Sequence, residues 1–108
     1  MTSASSFING KKTFKSNEQR IEIIFNHHLI FNDLVKIKLD VSEQGIVLNY
    51  KKLGFDDNGK LISIDFFVDC KDGFSGNASS DKVTDRSHFG FYRDYTKNSK
   101  FPFGTGAF

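Results

Sequence analysis

The segment from Leu61 to Lys71 has an apolar side chain at every second position from Ile62 to Cys70, and this period of two residues constrains the fold most. A two-residue period is typical of a β-strand with one buried face. The other face carries Asp65 and Asp69, which we expect to point to solvent. The core face collects five side chains: Ile62, Ile64, Phe66, Val68 and Cys70. An isolated strand is unstable, so the chain must form a sheet.

Turn-forming residues stand at both ends of this strand. Asp57-Asn58-Gly59-Lys60 precedes it and Lys71-Asp72-Gly73 follows it. Asn, Asp and Gly accept the positive φ values of tight reversals. A calcium loop with Gly59 as its sixth residue would place Gly54 first and Asp65 twelfth, between strands rather than helices. Both segments are therefore predicted to be hairpin turns.

One helix is predicted at about residues 32–44. Asn32 can cap its first turn, and Asp33 suits the positive end of the helix dipole. A stripe at three- and four-residue spacing consists of Leu34, Ile37, Lys38 and Val41. Gly45 stands where a left-handed residue would close the helix.

Several further segments are typical of strands. Residues 20–26 fit a strand or a helix, and their branched and aromatic side chains favour the strand. Ile46–Tyr50 alternates, residues 74–80 form a shorter glycine-weakened strand, and Asn9-Gly10 predicts another hairpin turn. The order of elements predicts an α+β domain, with a single helix on one antiparallel sheet of 4–5 strands.

The C-terminal quarter is rich in aromatic residues but has poor periodicity. One strand is predicted near residues 89–92, whereas residues 96–108 are predicted to be an irregular tail that wraps the domain. The first six residues are small and polar, which is typical of a disordered end. With 108 residues in all, the chain is predicted to be a single domain, 1–108.

The composition excludes several classes of protein. Cys70 is the only cysteine, so the chain has neither an internal disulfide nor a cysteine-based zinc cluster. The net charge of +2 gives no strong field for polyanions. No apolar run is long enough for a membrane span or a signal peptide. The chain is thus expected to be cytosolic, or extracytoplasmic if it is excised from a longer exported protein.

No catalytic or metal-binding pattern is present. His27 and His28 are adjacent and would point to opposite faces of a strand, and His88 is remote in sequence. No Gly-Xaa-Ser-Xaa-Gly elbow or phosphate loop occurs, and Gly104-Xaa-Gly106 lies too near the end of the sequence to open a helix. We predict a non-catalytic protein without metal or cofactor.

Two binding modes remain open for the aromatic segment. Phe89-Gly90-Phe91 matches the centre of an RNA-recognition signature, but the preceding residues and the spacing to Tyr95 depart from it. Core packing or contact with a protein partner or envelope component is therefore favoured over nucleic acid. Six candidate binding residues are predicted: Phe67, Phe89, Phe91, Tyr92, Arg93 and Tyr95. The alternative nucleic-acid or polyanion site would use Arg86, Arg93, Lys97 and Lys100 with Tyr92 and Tyr95.

Residues 32–81, roughly half of the chain, also match the sequence pattern of a known group of protein segments. The matching positions are Leu34, Ile37, Gly45-Ile46, Tyr50, Asn58-Gly59-Lys60, Ile62, Ile64, Lys71, Gly73 and Ser75-Gly76. This pattern resembles small C-terminal extracytoplasmic segments of membrane metallopeptidases of the beta-lactam-sensor type in Bacteroidota. The resemblance implies a non-catalytic docking module of the bacterial cell envelope. The peptidase activity does not transfer, because the His-Glu-Xaa-Xaa-His motif is missing, and the aromatic ending departs from the pattern.

Overall fold

A computed structural model describes residues 14–16 and 19–108 of the chain. In order, the elements are β1 (Phe14–Ser16), β2 (Arg20–Phe25), α1 (Phe31–Ser42), β3 (Val47–Phe55), β4 (Leu61–Asp69), β5 (Ser75–Ser80), β6 (Phe89–Asp94) and β7 (Phe103–Ala107). The predicted α+β class is confirmed, because the described part has one helix and antiparallel strands. The predicted turn at Asn9-Gly10 and the predicted disordered start at residues 1–6 lie outside the described residues.

The strands form two sheets rather than the one sheet of 4–5 strands that the sequence predicts. One sheet has the order β1-β2-β6-β7 and the other the order β3-β4-β5. The chain leaves the first sheet through α1, builds β3, β4 and β5 as successive antiparallel neighbours, and then returns to pair β6 with β2. The prediction of one sheet was wrong because side-chain alternation shows which face of a strand is buried, not which strand it pairs with.

Phe66 lies at the centre of the core between the two sheets. Its ring centroid is 5.1 Å from that of Phe25, 5.9 Å from that of Phe89 and 6.0 Å from that of Phe91. Phe66 belongs to β4, whereas its three partners come from β2 and β6 of the other sheet. Tilted and edge-on ring pairs at these distances are favourable. Aromatic packing therefore holds the two sheets together.

Helix α1 begins one residue before the predicted start. The Asp33 carboxylate accepts a hydrogen bond of 3.1 Å from the backbone N–H of Ile30, which satisfies a donor at the start of the helix. Asp33 rather than Asn32 thus makes the side-chain contact at this end. The predicted closure by Gly45 is confirmed: Ile46 N–H donates to the Val41 carbonyl and Gly45 N–H to the Ser42 carbonyl, at φ +85° for Gly45.

The apolar residues of the predicted stripe of α1 pack against β3, whereas Lys38, which was predicted with them, is exposed. Leu34, Ile37 and Val41 are fully buried. The Tyr50 hydroxyl donates to the Leu34 carbonyl at 2.8 Å, and burial raises the pKa of Tyr50. This hydrogen bond fixes the helix on the second sheet.

Both predicted reversals that flank β4 are confirmed. In the first, the Asp56 carboxylate accepts from the backbone N–H groups of Asn58 and Lys60, and these bonds lower the pKa of Asp56. Gly59 has φ +77° in this turn. In the second, Cys70 N–H donates to the Phe74 carbonyl, and Cys70 is buried as the alternation predicts.

The predicted irregular tail was wrong for Phe103–Ala107. This segment is the edge strand β7, whose Gly104 lies opposite Tyr92 of β6. A Cβ at Gly104 would lie 2.6 Å from the Tyr92 ring, so the ring occupies the space that the glycine leaves. Glycines at alternate positions conceal the strand in the sequence, because they carry no side chain to show a pattern.

Candidate docking site

The loop between β6 and β7, residues 95–102, presents the most exposed large apolar side chain that the structure describes. Phe101 is 72% exposed and Tyr95 is 39% exposed. Lys97 and Lys100 of the same loop are also exposed. Because Phe101 and Tyr95 place two exposed rings in one loop, we take this β6–β7 loop as the candidate site.

Hydrogen bonds within the loop hold it in one shape. The Asp94 carboxylate accepts from the Thr96 backbone N–H at 2.9 Å and from the Ser99 hydroxyl at 3.2 Å. The Ser99 hydroxyl oxygen in turn accepts from the backbone N–H of Phe101 at 3.3 Å. Hydrogen bonds from Thr96 and Ser99 lower the pKa of Asp94, so the carboxylate is ionised at neutral pH. The position of Phe101 is thus connected to Asp94 through Ser99.

Arg93 anchors the base of the loop. Its Nε and Nη2 atoms each lie 2.9 Å from Oδ2 of Asp72, in the turn between β4 and β5. Its Nη1 donates to the carbonyls of Asp94 and Pro102. The side chain is only 11% exposed. Arg93 therefore ties the β6–β7 loop to the other sheet.

Tyr95 packs on the same guanidinium. The Cζ atom of Arg93 lies 4.5 Å from the Tyr95 ring centroid and 4.4 Å from that of Phe74, which is cation–π distance on both sides. Partial burial and the nearby Cys70 and Asp72 raise the pKa of Tyr95. One face of the Tyr95 ring is thus fixed, and the ring remains partly open to solvent.

The two lysines of the loop leave it with a positive surface. Neither Lys97 nor Lys100 forms an ion pair with any residue that the structure describes. Asp94 is turned toward the hydrogen bonds of the loop. The β6–β7 loop therefore combines the exposed phenylalanine with two exposed lysines.

Three of the six predicted binding residues are committed to packing. Phe91 is fully buried, and Phe89 packs on Phe66. The Tyr92 ring has Arg20 Cζ 4.4 Å from its centroid and the Phe108 ring edge-on at 5.1 Å. Phe67, Phe89, Phe91 and Tyr95 do not form a contiguous patch, because Phe89 and Phe91 pack on Phe66 in the core, whereas Phe67 lies on the outer face of the other sheet.

Phe67 lies on the outer face of the second sheet, on β4, and does not belong to the β6–β7 loop. Its cross-strand neighbours are Asn49 of β3 and Asn77 of β5, both exposed. Phe67 is half-buried, and Asp65 and Asp69 share its face of β4. This sheet face is therefore mainly polar around one ring.

The basic residues of the alternative site are divided between the two ends of β6. Arg86 precedes this strand, whereas Lys97 and Lys100 follow it. A six-residue strand is about 20 Å long. Arg93 uses its donors on Asp72 and on two backbone carbonyls. The four cations predicted for a polyanion therefore do not make one surface.

The histidines take part in separate contacts. His27 Nδ1 lies 2.9 Å from the Leu61 carbonyl and its Nε2 lies 3.2 Å from Asp56, so both ring nitrogens connect β2 to the β3–β4 hairpin. His28 pairs with Asp85, and His88 contacts the Phe108 carbonyl. Among the described residues, no three His, Cys, Asp or Glu side chains group around a point that could hold a metal ion.

An open depression of about 520 Å³ lies beside His27. Its lining consists of His27, Ile62, Val83, Thr84, Asp85 and Arg86. Ile62, which the alternation of β4 assigns to the core face, is instead exposed here. The Ile62 carbonyl accepts from Val83 N–H, so the segment after β5 runs along the start of β4 and forms the rim.

Sequence reasoning missed Phe101 as a site residue. The signal was present in Lys100-Phe101-Pro102, where Pro102 interrupts regular structure and so predicts a loop at Phe101. It was masked by the many other aromatic residues nearby.

The comparisons with known proteins find no match for this chain among family models, curated proteins or solved structures. Within residues 14–16 and 19–108, no helix is long and apolar enough to cross a membrane.

Proposed function

We propose that this chain is a non-catalytic docking module of the bacterial cell envelope that binds a protein partner through the β6–β7 loop. The observation that carries the proposal is Phe101, 72% exposed in a loop whose hydrogen bonds keep it there. Aromatic side chains are enriched among the residues that dominate interface energies. A loop that is ordered before binding loses less entropy in the complex.

The chemistry of the loop favours a partner with an apolar pocket and acidic surroundings. Phe101 and the open side of Tyr95 would fill the pocket, while Lys97 and Lys100 would face the acidic rim. Opposite charges at the rim of an interface raise the association rate and align the partners. The envelope location is part of the proposal because residues 32–81 resemble extracytoplasmic segments, and fractionation of the native cells tests it.

Nucleic acid is the weaker alternative. Single-stranded nucleic acid is bound by a positive groove with several rings available for stacking. Here the guanidinium of Arg93 is held by Asp72, and the ring of Tyr92 is covered by Arg20 and Phe108. For such a ligand the β6–β7 loop offers only two lysines and two exposed rings, which are Lys97, Lys100, Tyr95 and Phe101.

Site-specific photocross-linking in the native host tests the proposal. A photoreactive phenylalanine analogue replaces Phe101 in one variant and Asn58 in a matched control. Asn58 is also exposed in a turn, at the far end of β4 from the Asp72 turn that Arg93 holds. We expect a discrete protein adduct from position 101 and none from position 58.

The charge contribution and the alternative are tested in the same cells. A double substitution Lys97→Glu, Lys100→Glu should abolish the adduct, because it reverses both rim charges. Equal adducts from the two probe positions, or no adduct from position 101, would refute docking through this loop. An adduct that disappears after nuclease treatment would instead support the nucleic-acid alternative.

A further inference from the structure

Helix α1 carries a second apolar row on the side that faces away from the core. Phe31, Val35 and Leu39 are 56%, 41% and 59% exposed, and the Phe31 ring also packs edge-on against Phe55 of β3, with 6.3 Å between the ring centroids. Their spacing of four residues places them in one row along the helix, because 3.6 residues make a turn. We call these three residues the outer row. The buried stripe of the same helix lies on the opposite side.

Charged residues are segregated between the two sides of α1. The two acidic residues within the helix, Asp33 and Asp40, are buried toward the core. The two basic residues, Lys36 and Lys38, are exposed, one on each flank of the outer row by their helical positions. The exposed acidic residue nearest to the helix in sequence is Glu43, which lies just beyond its last turn. The outward face of the helix itself is thus apolar and positive.

The neighbouring strand β3 carries two further exposed lysines. Lys38 Nζ lies 3.4 Å from Oδ1 of Asn49 on β3, and the Tyr50 hydroxyl bonds the helix carbonyl of Leu34. Lys51 and Lys52 follow directly on β3, and both are exposed. Two lysines therefore belong to the helix that carries the outer row, and two more follow Tyr50 on the strand against which this helix packs.

We propose that the outer face of α1 binds the surface of an anionic lipid bilayer. The outer row would enter the boundary between headgroups and acyl chains, and the lysines would contact the phosphates. The row is a convex ridge, which suits a planar, deformable surface. The exposed lysines of the helix match the negative charge of such a surface, whereas a second copy of this chain would present the same positive charge.

Vesicle co-sedimentation tests this inference. Two vesicle types are used, phosphatidylcholine alone and phosphatidylcholine in which about a third of the lipid is phosphatidylglycerol. We expect the protein to sediment with the anionic vesicles only. Substitution Leu39→Glu should reduce this partitioning at least about 10-fold, because it places a like charge and a polar group at the interface.

A charge variant separates the contribution of the lysines from that of the apolar row, and a second variant serves as the control. The double substitution Lys36→Gln, Lys38→Gln should reduce partitioning roughly 10-fold or more, since each lysine near an anionic membrane contributes about a 5-fold factor. Ile62→Glu is the matched control, because Ile62 is an exposed apolar residue on another surface, and it should bind like the parent protein. Circular dichroism checks that each variant is folded, and Leu39→Ser replaces Leu39→Glu if the charge disturbs the helix.

Three results would overturn the inference. One is that the parent protein sediments with neither vesicle type, or with both equally. Another is that Phe101→Glu abolishes sedimentation while Leu39→Glu does not, which would assign the lipid to the β6–β7 loop. The third is a concentration-dependent dimer that Leu39→Glu disperses, which would assign the row to a second copy. Cross-linking from position 101 is measured independently, so docking through the loop can fail or succeed separately.

Discussion

Arg93 illustrates how a residue predicted for binding can be required for structure. Its guanidinium contacts one carboxylate, two backbone carbonyls and two aromatic rings. Planar geometry lets one side chain satisfy all of these groups at once, which an ammonium group cannot do. A sequence shows the positive charge of an arginine, whereas its availability depends on neighbours that come from distant turns.

Arg93→Lys is therefore expected to destabilise the fold by about 1–3 kcal/mol, the range for charge-assisted hydrogen bonds that are partly buried. Urea unfolding followed by circular dichroism measures the change. Lys97→Arg is the control, since an exposed substitution away from such contacts stays within about 0.5 kcal/mol of the parent. Equal stability of Arg93→Lys and the parent would contradict the anchoring role.

Cys70 should be unreactive in the native protein. Burial, followed by the nearby Asp72, raises the pKa of its thiol to about 11. At pH 8 only about one thiol in a thousand would be ionised, and the thiolate is the reactive form. A chromogenic disulfide reagent should thus react slowly with native protein and at the rate of a free thiol in denaturant. Rapid native labelling would show that the end of β4 opens.

At the scale of elements, the C-terminal end of α1 depends on the left-handed backbone conformation of Gly45. A Cβ added to Gly45 would meet no atom within 4 Å, so only its φ of +85° disfavours a side chain. We expect Gly45→Ala to cost about 1–2 kcal/mol, because non-glycine residues are strained in this region. Gly45→Asn should cost less, since asparagine tolerates it better. If the two substitutions cost the same in urea unfolding, the strain argument fails.

The β6–β7 loop should lose stability in acid. Hydrogen bonds from Thr96 and Ser99 lower the pKa of Asp94 in the folded state. The stability that the ionised carboxylate contributes is therefore fully present above the unfolded pKa of about 3.9, and it is lost as the pH falls through the folded pKa. The melting temperature of the parent should therefore fall more steeply below about pH 4 than that of Asp94→Asn. Parallel profiles for the two proteins would show that Asp94 does not hold the loop.

Local chemistry made some elements predictable and left others hidden. The helix and the two reversals around β4 depend on neighbours in sequence, such as Gly45 and Asp56, and the sequence predicts them well. The division into two sheets depends on pairing between β2 and β6, which are far apart in sequence. Phe101 could not be separated from the other aromatic residues, because exposure is decided by the packing of the whole domain.

At the scale of the whole molecule, the contact between the sheets depends on which way two adjacent rings point. Phe66 is fully buried and packs against β2 and β6 of the other sheet, whereas Phe67 is half-buried on the outer face among polar neighbours. Removal of a buried ring destroys contacts that the surroundings cannot recover, and the resulting cavity adds to the loss. Substitutions at Phe66 and Phe67 therefore test directly whether the two sheets pack through this face of β4.

Phe66→Leu keeps an apolar group in the core and should leave a folded protein that is destabilised by about 1–3 kcal/mol, whereas Phe66→Ala should cost about 3–5 kcal/mol. Phe67→Leu should cost less than Phe66→Leu, because folding removes less of the Phe67 ring from water. Urea unfolding of the three variants measures the order. A one-residue shift in the register of β4 would exchange the two faces and reverse this order, so the comparison tests the packing of the sheets without further structural information.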